Sequence, residues 1–345
     1  MDNSIAHIEK EHNCCWRIIN LSMSKNQAYT FEESVVQVDK FEALLNRQGI
    51  EIVPGSTLES LSLRAKEVLE KKIHPVQRVT GEDMRLIFRE MIGFHDLSAK
   101  VLAAESHDDF FKLVPHLRKL NLPLQNSPTP SIDQENNKVF ELFIAALCMS
   151  ASTDRIELDD PDLSKGDNPD VIAKINGQKW GFGCKALHSN KPKTIFDNIK
   201  KAAEQIENSA SEKGLPTINA KNIIDHDLFW PILETQEQSK SDSPIYGAFP
   251  SLHCPILMMQ DFVLQFQRSL AEEIGVDEIL RCFSGIKSEA ACLMYFPTVT
   301  SLATPDGPIP TRLNTMQLIH FNEVSEECIS ICESLNHGLQ QHSAG

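Results

Sequence analysis

The chain has 345 residues, 41% of them hydrophobic and 23% charged, with 15 Gly and 18 Pro. That composition excludes wholesale disorder, a collagen-like repeat and a disulfide mini-scaffold, and no run approaches the roughly 20 apolar residues that span a bilayer. The net charge of −15 argues against a protein that binds nucleic acid non-specifically over its whole surface. At roughly 150 residues per domain, the length fits about two domains. Met1-Asp2-Asn3-Ser4 lacks a basic start followed by an apolar run, so no secretory leader is expected. The nine cysteines are scattered without a C-x-x-C pair and read as reduced, mostly buried thiols of a cytoplasmic protein. Cys328 and Cys332 share one helical face and read as core or interface residues.

The first 125 or so residues read as successive helices. Ser34 caps a helix to about Asn46, with Val35, Val38, Phe41, Leu44 and Leu45 on its apolar face and Gly49 as its stop. A second helix follows Ser56-Thr57 over Leu58–Lys72, a third follows a cap at Thr80, and Val101–Leu120 holds one or two more. The proline-rich stretch Asn121–Ser131 is a linker. It divides a helical interaction or regulatory domain, residues 1–125, from a second domain, residues 126–345. Ser131 and Gln134 have capping-box spacing and open a helix to about Met149. The period then changes. Ile156–Leu158 is a short strand, and Val171–Ile175 and Gln178–Leu187 flank Asn176-Gly177, a strong hairpin signal. A helix over Thr194–Ser209, strands at Leu215–Asn219, Ala291–Phe296 and Thr315–Phe321, and a closing helix over Asn322–Asn336 follow, with a polar loop at Ser239–Ser243. This alternation predicts an α/β fold, a mixed sheet covered by helices.

Charge is distributed unevenly across this region. Residues 154–170 carry seven acids against two bases, and residues 171–213 carry eight bases against four acids. Two solvated faces are the simplest meaning of such runs; a carboxylate cluster beside a lysine-rich surface is the sharper one. A two-residue turn pairs Ile175 with Gln178, Ala173 with Trp180 and Val171 with Phe182. One face then carries Val171, Ala173, Ile175, Trp180, Phe182 and Cys184 and packs on a core. The other carries Asp170, Lys174, Lys179, Gly183 and Lys185, and at the open end Asp170 and Lys185 become diagonal neighbours.

Pro169-Asp170, then Gly183-Cys184-Lys185 on the next strand, with Glu141 on the preceding helix, resembles the PD-(D/E)XK nuclease superfamily of restriction endonucleases and related repair, recombination and phage-defence nucleases. The resemblance covers about residues 131–235. It implies a restriction-endonuclease-like fold, with Asp170 and Glu141 as ligands of Mg²⁺ or Mn²⁺ and the backbone carbonyl of Cys184 within reach of the metal. It makes Lys185 the catalytic ammonium and sets Gln205, on the following helix, against the attacking water or the scissile phosphate. It also implies a nucleic-acid substrate, DNA ahead of RNA, met through Lys174, Lys179, Lys191, Lys193, Lys200 and Lys201 with salt-sensitive affinity. The residue types suit the chemistry: carboxylates hold a hard cation, and a lysine beside it orients water and offsets developing charge.

Gly183 departs from the family pattern, which has an acid there. Four explanations stay open at this point. Glu141, Asp170 and water suffice; or the acid has moved to the next helix, as Glu204 or Glu207; or the site is silent; or this chain carries a substitution. No phosphate-binding glycine loop, G-x-S-x-G or H-E-x-x-H motif competes. Asp225-His226-Asp227 reads as a loop or helix start. The sequence thus points to a metal-dependent nuclease in the cytoplasm, with restriction or phage defence as its role by family analogy. A catalytically inactive nucleic-acid-binding or scaffold subunit is the alternative, and a protein-interaction module with no nucleic-acid role is a third reading. Homo-oligomers or a partner protein would dock through the helical N-terminal region, and no membrane association is expected.

Overall fold

The computed structural model describes residues 18–19, 31–70, 84–120, 131–151, 154–159, 161, 169–235, 244–305 and 307–341. The linker at 121–130, the Thr80 cap and the loop at 239–243 lie outside them, as do the side chains of the predicted capping box. The helices are α1 (Phe31–Arg47), α2 (Thr57–Glu70), α3 (Met84–Ala103), α4 (Val114–Leu120), α5 (Ser131–Ser150), α6 (Pro192–Glu207), α7 (His226–Phe229), α8 (His253–Ile274), α9 (Val276–Arg281) and α10 (Glu326–Gln340). The strands are β1 (Ile18–Ile19), β2 (Arg155–Leu158), β3 (Val171–Ile175), β4 (Gln178–Ala186), β5 (Lys213–Asn219), β6 (Ile232–Glu234), β7 (Ile245–Tyr246), β8 (Ala291–Thr304) and β9 (Gly307–His320).

One mixed seven-stranded sheet runs β1-β9-β8-β5-β4-β3-β2. Its β4–β5 and β5–β8 pairs are parallel and the others antiparallel. Strands β6 and β7 form a separate ribbon. Helices α3, α5 and α10 contact strands on one side of the sheet, and α6 and α8 form the second helical layer. Two apolar cores result. Phe140, Phe143 and Leu147 of α5 meet Trp180, Phe182 and Cys184 in the first. Ile195, Phe196, Ile199 and Ala203 of α6 meet Ile218, Met294 and Phe296 in the second.

The helices before residue 125 do not keep their apolar faces to themselves. Phe41 and Leu44 of α1, Val101 of α3 and Leu117 of α4 belong to the same core as α5, the sheet and α10. Polar contacts reinforce the join. Asp96 of α3 accepts from Arg312 of β9 at 2.6 Å, and the buried Lys100 ammonium donates to Gly338 O at 2.6 Å near the end of α10. Asp109 accepts the Ile156 N–H at 2.9 Å, engaging the outer edge of β2.

Two differences from expectation have physical causes. The strand candidates at 291–296 and 315–321 are the inner halves of one long hairpin, β8 and β9, each 14 residues. Pro297, Pro308 and Pro310 interrupt its strand pattern. The 22-residue α8 has no counterpart among the predicted elements. Its core-facing positions include the polar Gln267, while Leu257 and Leu264 are exposed, which blurs the helical hydrophobic stripe.

Candidate functional site

The β3–β4 hairpin sets the site. Asn176 and Gly177 both have positive φ, 53° and 82°, as a type I′ turn requires. The register follows: Val171 pairs with Phe182, Ala173 with Trp180 and Ile175 with Gln178, without a bulge. At the open end the Asp170 carboxylate turns onto β4. Its Oδ2 accepts the Cys184 N–H at 2.7 Å and the Lys185 ammonium at 3.3 Å. Lys185 Nζ also donates to the Cys184 carbonyl at 3.0 Å. The Asp170 side chain is 7% exposed and that of Lys185 15%. The Cys184 side chain points into the core, and burial pushes its thiol well above the ordinary range.

Helix α5 brings polar groups to the same end of β4. Asn137 Oδ1 accepts the Ala186 N–H at 2.6 Å. One turn later Glu141, almost fully buried, accepts from Lys138 at 2.7 Å. Burial raises the Glu141 carboxyl, but His116 and Lys138 outweigh it, and the net shift is downward. The Asp170 carboxyl goes the other way, to about 6. Burial is the chief cause and the Glu141 charge adds to it, against the pull of Lys185 and the Cys184 N–H. Two buried carboxylates that feel each other, with two ammonium groups on them, make a compact charged cluster.

Asp170, Lys185, Cys184 and Glu141 are thus brought together, as the sequence predicts. Gln205 lies half-buried on α6. Ala202 of α6 packs over Gly183, and Ile206 packs over Gly214, the partner of Gly181. Gln205 lies between these two contacts along the helix. The acids considered as replacements on α6 lie elsewhere. Glu207 accepts the N–H groups of Ile286, Lys287 and Ser288 at 3.2, 2.9 and 2.7 Å and anchors that loop. Glu204 is exposed, and its charge is felt at Cys282. Among the lysines proposed for phosphate contact, Lys179 pairs with Glu157 at 2.8 Å and Lys193 with Asp197 at 2.6 Å, while Lys191, Lys200 and Lys201 are exposed.

Gly183 has a packing reason. A Cβ there would lie 2.9 Å from Ala202 Cβ and 3.0 Å from both Ala202 Cα and O. Helix α6 rests directly on the strand, and a side chain at 183 has no space.

Sequence reasoning misses His116. This α4 residue is 25 positions before Glu141, and no local motif marks it; its Nε2 lies 3.6 Å from Glu141 Oε2. It also passes over Asn137 and Lys138 as site residues, although their spacing from Glu141 on an amphipathic helix puts them beside it.

Other sequence features have structural roles. Asp225 caps α7 by accepting the Asp227 N–H at 3.1 Å, and His226 bonds Thr298 and the Lys221 carbonyl. The described cysteines are all unpaired, with Cys148, Cys184, Cys292, Cys328 and Cys332 buried.

Among the described residues, the oxygen donors at this end of β4 include the Asp170 and Glu141 carboxylates, the Cys184 carbonyl and Asn137 Oδ1. Among the described residues no three His, Cys, Asp or Glu side chains gather as a metal-holding group, and no helix is long and apolar enough to cross a membrane. A scan against protein-family models finds no match, and searches of curated proteins and of solved structures return none either.

Proposed function

We propose that this chain is a metal-dependent nuclease of the PD-(D/E)XK type, acting on the phosphodiester bonds of DNA or RNA. The observation that carries the reading is the buried Asp170–Lys185 pair at the open end of a hairpin, with Glu141 from the preceding helix close enough to raise the Asp170 carboxyl. The order of elements supports it. A helix bearing Glu141, the hairpin bearing Asp170 and Lys185, a helix, and a parallel strand at Lys213–Asn219 follow one another, as the resemblance implies.

The donor set suits Mg²⁺ or Mn²⁺. Mg²⁺ ordinarily takes one or two carboxylates and fills its remaining positions with water and substrate phosphate. Asp170 and Glu141 would hold the ion, with the Cys184 carbonyl as a third oxygen. When bound, the ion supplies positive charge that acidifies a water and neutralises phosphate oxygens. Lys185, tethered to Asp170 and the Cys184 carbonyl, carries a proton and a positive charge to the same point, where it orients water or offsets charge on the phosphoryl group.

Gly183 favours a second reading, a catalytically silent nucleic-acid-binding or scaffold subunit. The position has no acid and no room for one, and ammonium groups already sit on Asp170, Glu141 and the Cys184 carbonyl. One experiment separates the readings. Single- and double-stranded DNA and RNA are incubated with the protein in Mg²⁺, Mn²⁺ or chelator. The nuclease reading expects metal-dependent cleavage that Lys185→Ala lowers by about 100-fold or more, within the usual range for losing a positioned acid–base or charge-stabilising group. Equal cleavage by that variant contradicts it. Salt-dependent binding without cleavage supports the silent reading.

A further inference from the structure

The helical N-terminal segment carries no catalytic motif, yet it reaches the site through one side chain. His116 of α4 is 1% exposed and Glu141 2% exposed, with His116 Nε2 3.6 Å from Glu141 Oε2. The same oxygen accepts from Lys138 at 2.7 Å. Neither ring nitrogen of His116 makes a hydrogen bond of normal length among the described residues. A buried imidazole that gives up water without such a bond is unfavourable, so its place in an otherwise apolar contact asks for a reason. Leu113, Leu117 and Leu120 hold α4 in the main core, which fixes where the ring sits. Lys138 comes from the helix of Glu141 itself, whereas His116 comes from a different one.

We propose that His116 is a positioning residue for Glu141, flanking its Oε2 together with Lys138 so that the second carboxylate oxygen is left for a divalent cation. The docking of α4 on α5 then sets the orientation of a ligand, and the N-terminal helices become part of the site rather than an appendage. The proposal rests on the reading of Glu141 as a ligand. Partners of ligating groups act in this way because they restrict the ligand to its productive orientation.

The test uses Mn²⁺ as the probe and the full chain, with the free ion followed by its paramagnetic resonance signal, so it needs no cleavage activity. The unaltered protein is expected to bind Mn²⁺ saturably, and Glu141→Gln to weaken that binding. His116→Leu is expected to weaken it about tenfold, while His116→Gln, whose amide nitrogen reaches near the Nε2 position, restores most of it. If the leucine variant does not fold, His116→Asn replaces it, since its shorter amide falls back toward the Nδ1 position and is expected to give the same loss. Leucine or asparagine variants that bind like the unaltered protein, or a glutamine variant that rescues nothing, overturn the positioning role while the effect of Glu141→Gln leaves the site reading intact. Absence of saturable Mn²⁺ binding in the unaltered protein overturns the site reading and this proposal with it.

Discussion

Gly183→Glu is expected to destabilise the protein severely and to create no new metal-dependent cleavage. The acid that the family pattern has at this position cannot be restored by one substitution, because the nearest atoms are not the far end of a flexible side chain. They are Ala202 Cβ at 2.9 Å and the Ala202 Cα and O at 3.0 Å, part of a helix held by Ile195, Phe196, Ile199, Ala203 and Ile206. Gly183→Ala alone overpacks this contact and is expected to cost about 1–3 kcal/mol. Glutamate adds a charge between sheet and helix and costs several kcal/mol more. Denaturant unfolding of Gly183→Ala, Gly183→Glu and the double variant Gly183→Ala/Ala202→Gly measures this directly. The double variant recovers part of the loss, since it removes the Ala202 Cβ and leaves the backbone contacts. A Gly183→Glu protein that unfolds like the unaltered chain and gains cleavage contradicts the packing argument.

Asp170→Asn is expected to raise stability at pH 7.5 and, under the proposed nuclease reading, to remove cleavage. The carboxyl has a folded-state value of about 6 against 3.8 for an unburied one. Between those values the folded state holds a proton that the unfolded chain has lost. Stability from this group therefore falls as pH rises through the window, and the cost is complete above about pH 6. The difference sets a ceiling of about 3 kcal/mol. The attraction of Lys185 is already included in that value, so the asparagine variant is expected to gain stability, up to this ceiling. Thermal or denaturant unfolding at several pH values checks both sign and window: the advantage of the asparagine variant fades as pH falls from 6 toward 4. A variant less stable than the unaltered protein at pH 7.5 makes the Asp170–Lys185 pair a structural ion pair. Charge held at a local cost is what a functional site shows.

Much of this site is legible in the sequence because it is local. Asn176-Gly177 fixes a turn, the turn fixes the register, and the register puts Asp170 and Lys185 at one end of two strands. Glu141 comes from the resemblance, as the glutamate on the helix before the hairpin. What is not legible depends on how distant segments meet. Gly183 reads as a missing acid until α6 is seen lying on it. Glu204 and Glu207 read as candidate replacements for that acid because they lie on the helix that follows the hairpin. Helix α6 lies with Ala202 on Gly183 and Ile206 on Gly214, and Glu207 is taken up by the backbone of residues 286–288. His116 sits 25 residues upstream of Glu141, in a segment whose local pattern records only an apolar face. The first 125 residues look separate because a proline-rich stretch follows them, yet Phe41, Leu44, Phe94, Leu113 and Leu117 enter the common core. Sequence patterns report which face of an element is apolar; they do not report which partner covers it.

The proposal that Asp170, Glu141 and Cys184-Lys185 surround one divalent-cation position is tested most directly by iron-directed cutting of the chain. Fe²⁺ is added in place of Mg²⁺ with ascorbate and peroxide, and the protein fragments are mapped. The expected result is cutting confined to the segments around Glu141, Asp170 and Cys184-Lys185, suppressed by excess Mg²⁺ and lost in Asp170→Asn. Cutting at other segments alone, or the same fragments from Asp170→Asn, would contradict the account.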